Sequence, residues 1–382
     1  MHPTTETRHA SESNPYFSPD YRTARQRFLE TVKKCCNFSF HDELKLDVKG
    51  PDGKDLFIDL VWLGPIDADK ILIHISATHG VEGHVGAAGQ LSLVHSPETM
   101  PKDTACIMIF GMNSFGYSWN RRVNESNVDL NRNLRDERSS PELYKYIDSL
   151  MNPKKIINLE EFLKGFDEAK KKHDWLPIKS ALAEGQHDYP EGMFYGGKEV
   201  EQGPELVLSW FEKHFSTRKD GDSLRFLIID VHTGLGDKRG LDTLLTPIKP
   251  PQSVIEFFGS PMKAGVQKET MGGYKPLGMF TVALAQNIER VTKCSLPIFR
   301  IGQEFGTVPV QQVLLALWAE NMHWHAALRA GKTPDPYGSA SLQLRKVFSL
   351  DDKESQDKAI CRMRELFQTS LDYLQKAHLL RE

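Results

Sequence analysis

Three short runs constrain what this chain can fold into more than any other feature: KILIHISATHG (residues 70–80), TACIMIFGMN (104–113) and LRFLIIDVHTG (224–234). Each is apolar without alternation, which predicts a strand covered on both faces. Such strands belong in a parallel or mixed sheet between layers of helices. A fourth run, LPIFRIGQEFGT (296–307), has the same form more weakly. ELKLDVKGPDGKDLFIDLVWLG (43–64) instead alternates apolar and polar residues around Pro-Asp-Gly, the pattern of a hairpin.

Helical periodicity is expected over 83–95, 141–150, 159–184, 203–215, 250–258, 309–330 and 354–380, with an amphipathic helix opening at Tyr21. The expected fold is therefore α/β: a three-layer α/β/α sandwich around a mixed, mostly parallel sheet. The pattern divides the chain into a polar tail over 1–20, a main domain over 21–331 and a helical extension over 332–382. Residues 134–222, mostly helical and charged, read as an insertion between strands of the sheet.

Composition removes several classes of function. A net charge of −3 gives no general attraction to nucleic acid or to an anionic membrane. No apolar run approaches the ~18 residues of a membrane span, and the polar N-terminus lacks the apolar core of a secretory signal. Five cysteines, an odd number without metal-ligand spacing, argue against a disulfide framework. A cytoplasmic protein is expected, with neither nucleic acid nor membrane as partner, and no feature sets an oligomeric state.

In open α/β sheets, ligands gather at the carboxyl ends of the strands. The first run ends in His79 and Glu82, LRFLIIDVHTG carries His232 at its tip, and the weaker run carries Glu304. A His-x-x-Glu spacing alone means little, since fourteen histidines should produce about one by chance. His9/Glu12 lies in the polar tail and His95/Glu98 in a Ser-Pro loop, whereas His79/Glu82 stands at a strand-to-helix turn. Two imidazole nitrogens and one carboxylate leave a coordination position open on a tetrahedral zinc, which is a catalytic set. His79, Glu82 and His232 are thus expected to hold one zinc per chain, with Glu304 as a separate proton carrier.

Glycines 80, 83, 86 and 89 recur every three residues, which matches no phosphate-binding loop. With the alanines beside them they let the following helix lie close on the sheet. SWNRRVNESNVDLNRN (118–133) is packed with Asn and Arg after a buried strand, and arginine forks suit carboxylates and oxyanions. His74, His84 and the pair His323/His325 read as packing residues.

These segments resemble the zinc carboxypeptidase superfamily, which includes the succinylglutamate desuccinylase and aspartoacylase branch. His79, Glu82 and His232 match its metal ligands, and DLNRN (129–133) matches its D-x-N-R-N segment. The resemblance implies that Asn131 and Arg132 hold a substrate carboxylate and that Asp129 orients the first zinc histidine. It implies an oxyanion-stabilising arginine at Arg121 or Arg122, with Arg122 favoured and Arg121 beside it at the substrate, and Glu304 as general base. NPYFSPDYRTARQRF, THGVEG, RRVNESNVDLNRN, GQHDYPEGMFYGG, DVHTGLG and EFGT also resemble an uncharacterised bacterial branch, a domain of unknown function. The active-site tyrosine of digestive carboxypeptidases has no clear counterpart; Tyr195 and Tyr274 are candidates.

The implied activity is zinc-dependent hydrolysis of an amide bond next to a free carboxylate, with a peptide or small molecule as substrate. The alternatives are an N-acyl amino acid deacylase and a non-catalytic metal- or ligand-binding protein on the same fold. A long insertion that narrows the cleft would favour small substrates.

Overall fold

The computed structural model describes residues 13–95, 100–218, 221, 223–236, 238–246, 250–259, 262 and 277–376. Among the described residues, seven strands form one sheet: β1 (Phe38–Lys49), β2 (Asp55–Leu63), β3 (Lys70–Ile75), β4 (Thr104–Phe110), β5 (Arg225–Thr233), β6 (Asp242–Leu245) and β7 (Phe299–Phe305). Their order is β1-β2-β4-β3-β5-β7-β6. The central strands β4, β3, β5 and β7 run parallel, while β1, β2 and β6 join antiparallel at the flanks. The apolar runs supply the parallel strands, and every residue of β4 is buried. β1 and β2 form the expected hairpin, turning over Gly50–Gly53, where Gly53 takes a left-handed φ of 74°. The short edge strand β6 carries no strong apolar pattern and was not expected.

The described residues form twelve α-helices around the sheet: α1 (Tyr21–Val32), α2 (Gly83–His95), α3 (Ser114–Trp119), α4 (Glu142–Met151), α5 (Leu159–Lys172), α6 (Trp175–Ala183), α7 (Gln202–Phe215), α8 (Gln252–Phe258), α9 (Phe280–Thr292), α10 (Val310–Arg329), α11 (Ser339–Phe348) and α12 (Lys353–Lys376). Opposite faces of the sheet meet different helices. Phe28 of α1 stacks on Phe110 at 4.7 Å between ring centres, while Phe215 of α7 stacks on Trp62 at 5.7 Å. Phe110 and the strand partner of Trp62, Ile107, point to opposite faces, so these contacts belong to two layers. The fold is the three-layer α/β/α sandwich.

The helix expected over 159–184 is two helices, α5 and α6, broken at His173-Asp174. The insertion is also divided. Helices α4, α5 and α6 pack with α10 and α11 in a core of their own, whereas Trp210, Phe211 and Phe215 of α7 join the core of the sheet. At the C-terminus, Met363, Leu366, Phe367 and Leu371 of α12 are buried in that same main core.

The chain order places the site. From β3 the chain crosses through α2 to β4 on one side, then returns to β5 on the other. The tips of β3 and β5 therefore lie side by side where the strand order reverses, which is where α/β sheets open a crevice. Close packing of the intervening turn needs glycine: a Cβ on Gly80 would meet the backbone of Gly116 at 2.1 Å, and one on Gly89 would meet Met363 Sδ at 1.8 Å.

Candidate metal centre

After β3 the chain passes through Ala77 at φ 60°, a left-handed conformation costing an alanine roughly 1 kcal/mol. That bend delivers His79 and Glu82 to the strand tips. Two backbone hydrogen bonds then pin the turn, Gly80 N to Arg122 O at 3.1 Å and Val81 N to Arg121 O at 2.8 Å. The Asn-rich loop 118–133 is thus the turn's docking partner. Its asparagines shape it: Asn124 Oδ1 accepts from Val128 N at 2.8 Å, Asn127 donates to Gly192 O at 3.1 Å, and Asn133 donates to Gly196 O at 2.9 Å.

The structure brings His79, Glu82 and His232 together, their candidate ligand atoms all within 4.8 Å of one another and all three side chains buried. Both imidazoles turn Nδ1 to the same carboxylate, His79 to Glu82 Oε1 at 2.9 Å and His232 to Glu82 Oε2 at 3.0 Å. Both present Nε2 to an aspartate, His79 to Asp129 Oδ1 at 3.3 Å and His232 to Asp230 Oδ2 at 2.9 Å. Carboxylates behind metal-binding histidines fix the ring and raise its basicity. Two inward nitrogens, one inward carboxylate and two backing carboxylates fit a zinc ion.

Asp230 was not among the expected residues. Its signal was its place two residues before His232, on the same face of the strand. Thr78 Oγ1 donates to its other oxygen at 2.7 Å and keeps it aimed.

The two arginines diverge. Arg122 donates to Asp129 Oδ2 at 3.1 Å and to Glu82 Oε1 at 3.3 Å, and its Nη2 lies 2.8 Å from His79 Nε2. Arg121 turns away from the cavity. Fully buried, it donates to Glu320 at 2.7 Å and to Asn127 at 3.1 Å, with its guanidinium 3.9 Å from the ring centre of Trp324. The expectation that Arg121 binds substrate is corrected: its charge is spent inside the fold.

A cavity of about 570 Å³ opens over the cluster, lined by His79, Glu82, Arg122, Asn131, Arg132, Asp230, His232 and Glu304 among others. Asn131 Oδ1 accepts from Phe280 N at 3.0 Å, and Arg132 Nε donates to Ala183 O at 2.8 Å. The insertion contributes Trp175, Lys179, Leu182 and Ala183 to the wall. It also contributes Phe194, held at φ 56°, whose ring lies below the guanidiniums of Arg122 and Arg132 at 5.6 and 5.8 Å. Tyr195 is buried and does not line the cavity. Tyr274 lies outside the described residues.

Electrostatics separates the acids. Burial would raise the pKa of Glu82, but the charges and hydrogen bonds of His79 and His232 hold it below the carboxylate range. Asp129, equally buried, is held well below its ordinary value by Arg122 and Arg132. Burial is opposed at His232 too, where Asp230 and Glu82 raise the pKa well above the ordinary value. Glu304 goes the other way. Burial first, and the Glu82 charge second, push it up to about 8, with Leu235 N donating to its Oε1 at 2.9 Å. One group of carboxylates stays charged while another is poised near neutrality, an arrangement suited to proton transfer.

The chain belongs to the family described as "Protein of unknown function (DUF2817)", whose profile matches residues 17–362. Among solved structures it is similar to thrombin activatable fibrinolysis inhibitor, with 10% identity over 88% of this chain and 76% of that one and a TM-score of 0.43. Murein-tripeptide amidase MpaA from Escherichia coli O157 is similar at 13% identity, over 74% of this chain and 92% of that one, with a TM-score of 0.33. So is the succinylglutamate desuccinylase from Chromobacterium violaceum, at 12% identity over 92% and 74%, with a TM-score of 0.31. No curated protein matches the chain. No described helix is long and apolar enough to cross a membrane.

Proposed function

We propose that this protein is a zinc-dependent hydrolase that cleaves an amide bond beside a free carboxylate, in the manner of a carboxypeptidase. The observation that carries this is the pair of imidazoles turned onto one carboxylate and backed by two others, at the floor of a cavity that also holds Glu304. His79, Glu82 and His232 would hold the metal, which when bound polarises a carbonyl and activates water.

The chain's own residues supply the rest. Asn131 and Arg132 sit on one wall, where an amide and a guanidinium suit a planar carboxylate and fix its orientation. Arg122, anchored by Asp129, presents a positive group beside His79, where an oxyanion developing at the scissile carbonyl would be stabilised. Glu304 takes a proton from the attacking water at its carboxylate and returns it to the leaving amine. Glu304 is held up partly by the Glu82 charge, and its base form would be favoured once that charge is offset.

A second reading keeps the chemistry and changes the substrate. α6 and Phe194 wall the cavity to a size that suits a small molecule, which favours an N-acyl amino acid over a long peptide. The test is Glu304→Gln in zinc-loaded protein, assayed on short acylated peptides and N-acyl amino acids. Turnover should fall about 10²- to 10⁴-fold with zinc content unchanged. Retained turnover would remove Glu304 from the chemistry, and no turnover by the wild type would favour a binding protein.

A further inference from the structure

Moving along β7 away from Glu304, the same face carries Gly302 and then Arg300, and all three line the cavity. Four residues of strand place the Cα atoms of Arg300 and Glu304 about 13 Å apart. Arg300 is half-buried, and among the described residues its guanidinium makes no hydrogen bond and no ion pair within 4 Å. The opposing charge that acts on it is Glu289, exposed on α9, and burial pulls the guanidinium below its ordinary pKa. A half-buried cation facing a cavity without a paired anion costs stability and gains nothing for the fold.

Gly302 explains how the space between the two ends stays open. Its φ is not in the left-handed region, and a Cβ there would meet nothing closer than Leu245 Cβ at 3.7 Å. The backbone therefore does not require glycine at this position. Its absent side chain leaves a clear floor between the Glu304 end of the cavity and Arg300, bordered by Thr243, Leu245 and Thr281.

The remaining cations of the lining fall elsewhere. Arg122 is engaged with Asp129 and Glu82. Arg132 bonds the carbonyl of Ala183, and Lys179 stands one helical turn before that residue on α6, so these two share a wall. Among the described residues the cavity thus has two cationic positions for ligand anions, one at Arg132 with Lys179 and one at Arg300.

The geometry points to a substrate with two carboxylates: an acidic amino acid at the cleaved C-terminal position, its α-carboxylate at Arg132 and its side-chain carboxylate crossing Gly302 to Arg300. This rests on the hydrolase reading above and names Arg300 as its specificity-determining residue.

The test uses the full-length zinc-loaded chain on acetyl-Ala-Glu and acetyl-Ala-Gln, with kcat/KM for each, and calorimetric binding of N-acetylglutamate and N-acetylglutamine. The wild type should prefer the glutamate form at least about tenfold in both measurements, the discrimination of a charged hydrogen bond. Arg300→Gln should bring that ratio close to one and Arg300→Lys should keep most of it. Gly302→Val, which obstructs the floor, should lower it. A wild-type ratio near one, or a ratio unchanged in Arg300→Gln, overturns the inference. If neither the peptides nor N-acetylglutamate and N-acetylglutamine are hydrolysed, the hydrolase reading fails, and the binding ratio in wild type and Arg300→Gln still decides the role of Arg300.

Discussion

Among the described residues, two clusters bring imidazole and carboxylate close enough together for a cation, His79/Glu82/His232 and His41/Glu43/Asp59. Each joins imidazole to carboxylate, and His79, Glu82 and His232 line the 570 Å³ cavity, whose lining does not include His41, Glu43 or Asp59. The second lies on the β1–β2 hairpin and already holds a cation of its own. Arg25 of α1 donates to both oxygens of Asp59, at 2.7 and 2.8 Å, and also to Glu43, while His41 lies 2.8 Å from Asp59 Oδ1. At the first cluster, Arg122 reaches Oε1 of Glu82, whereas Oε2 faces His232 and the backbone N of Thr233. A fork that engages both carboxylate oxygens makes an ion-pair network, and one that engages a single oxygen leaves room for a metal. Donor proximity is thus a weak guide until the local cation is counted.

The sharpest way to break this comparison is to remove one histidine from each cluster. His232→Ala should lose its zinc by elemental analysis and fall to background activity, a loss on the order of 10⁴-fold or more. His41→Ala should keep about one zinc per chain, and zinc loss there would put the metal on the wrong cluster. The converse substitution, Arg25→Met, leaves Asp59 buried beside His41 alone. It should cost about 3–5 kcal/mol in urea unfolding, with zinc content unchanged in the folded fraction.

Acid acts on the fold through buried histidines that lie outside the candidate metal cluster, His74 first among them. Burial pushes its pKa down to about 4, so the unfolded chain binds a proton that the folded chain resists between there and about 6.5. Its contribution is complete above about pH 6.5 and lost as pH falls toward 4, amounting to about 3 kcal/mol. His84, pushed by burial to about 3, adds in the same direction. In metal-free protein, His74→Leu should flatten the fall in stability across this window; an unchanged slope would assign it elsewhere. The smallest effect belongs to Gly185, at φ 92°, where a Cβ would meet Arg132 Cδ at 2.7 Å. Gly185→Ala should raise KM about tenfold with little change in kcat, because it displaces a binding group rather than a reacting one. An equal loss in both would place Arg132 in the chemistry.

The ends of the apolar runs carried most of the site in plain view. His79, His232 and Glu304 stand where strands stop, and a turn or tip with a titratable side chain has little structural reason to be there. What lay hidden shared the signal of something else. Asp230 sits inside a run dominated by Phe, Leu, Ile and Val, so it reads as an interruption of a buried strand. Arg121 and Arg122 are identical neighbours; they part because successive side chains in that turn face opposite sides, one toward Glu320 and Trp324 and one toward the imidazoles. Short β6 lacks a pattern because an edge strand of four residues is held by its neighbour β7 more than by its own composition.

The hydrogen bond from Arg132 to the carbonyl of Ala183 has a consequence for chain length. Nothing in the sheet itself holds that guanidinium from this side; the peg comes from the last turn of α6, within a segment that looks dispensable. On the proposed function, a shortened relative could keep His79, Glu82 and His232 and still lose the hold of Arg132 on a carboxylate. On that proposal the helices between β4 and β5 would set a lower limit on how compact a working version of this protein can be.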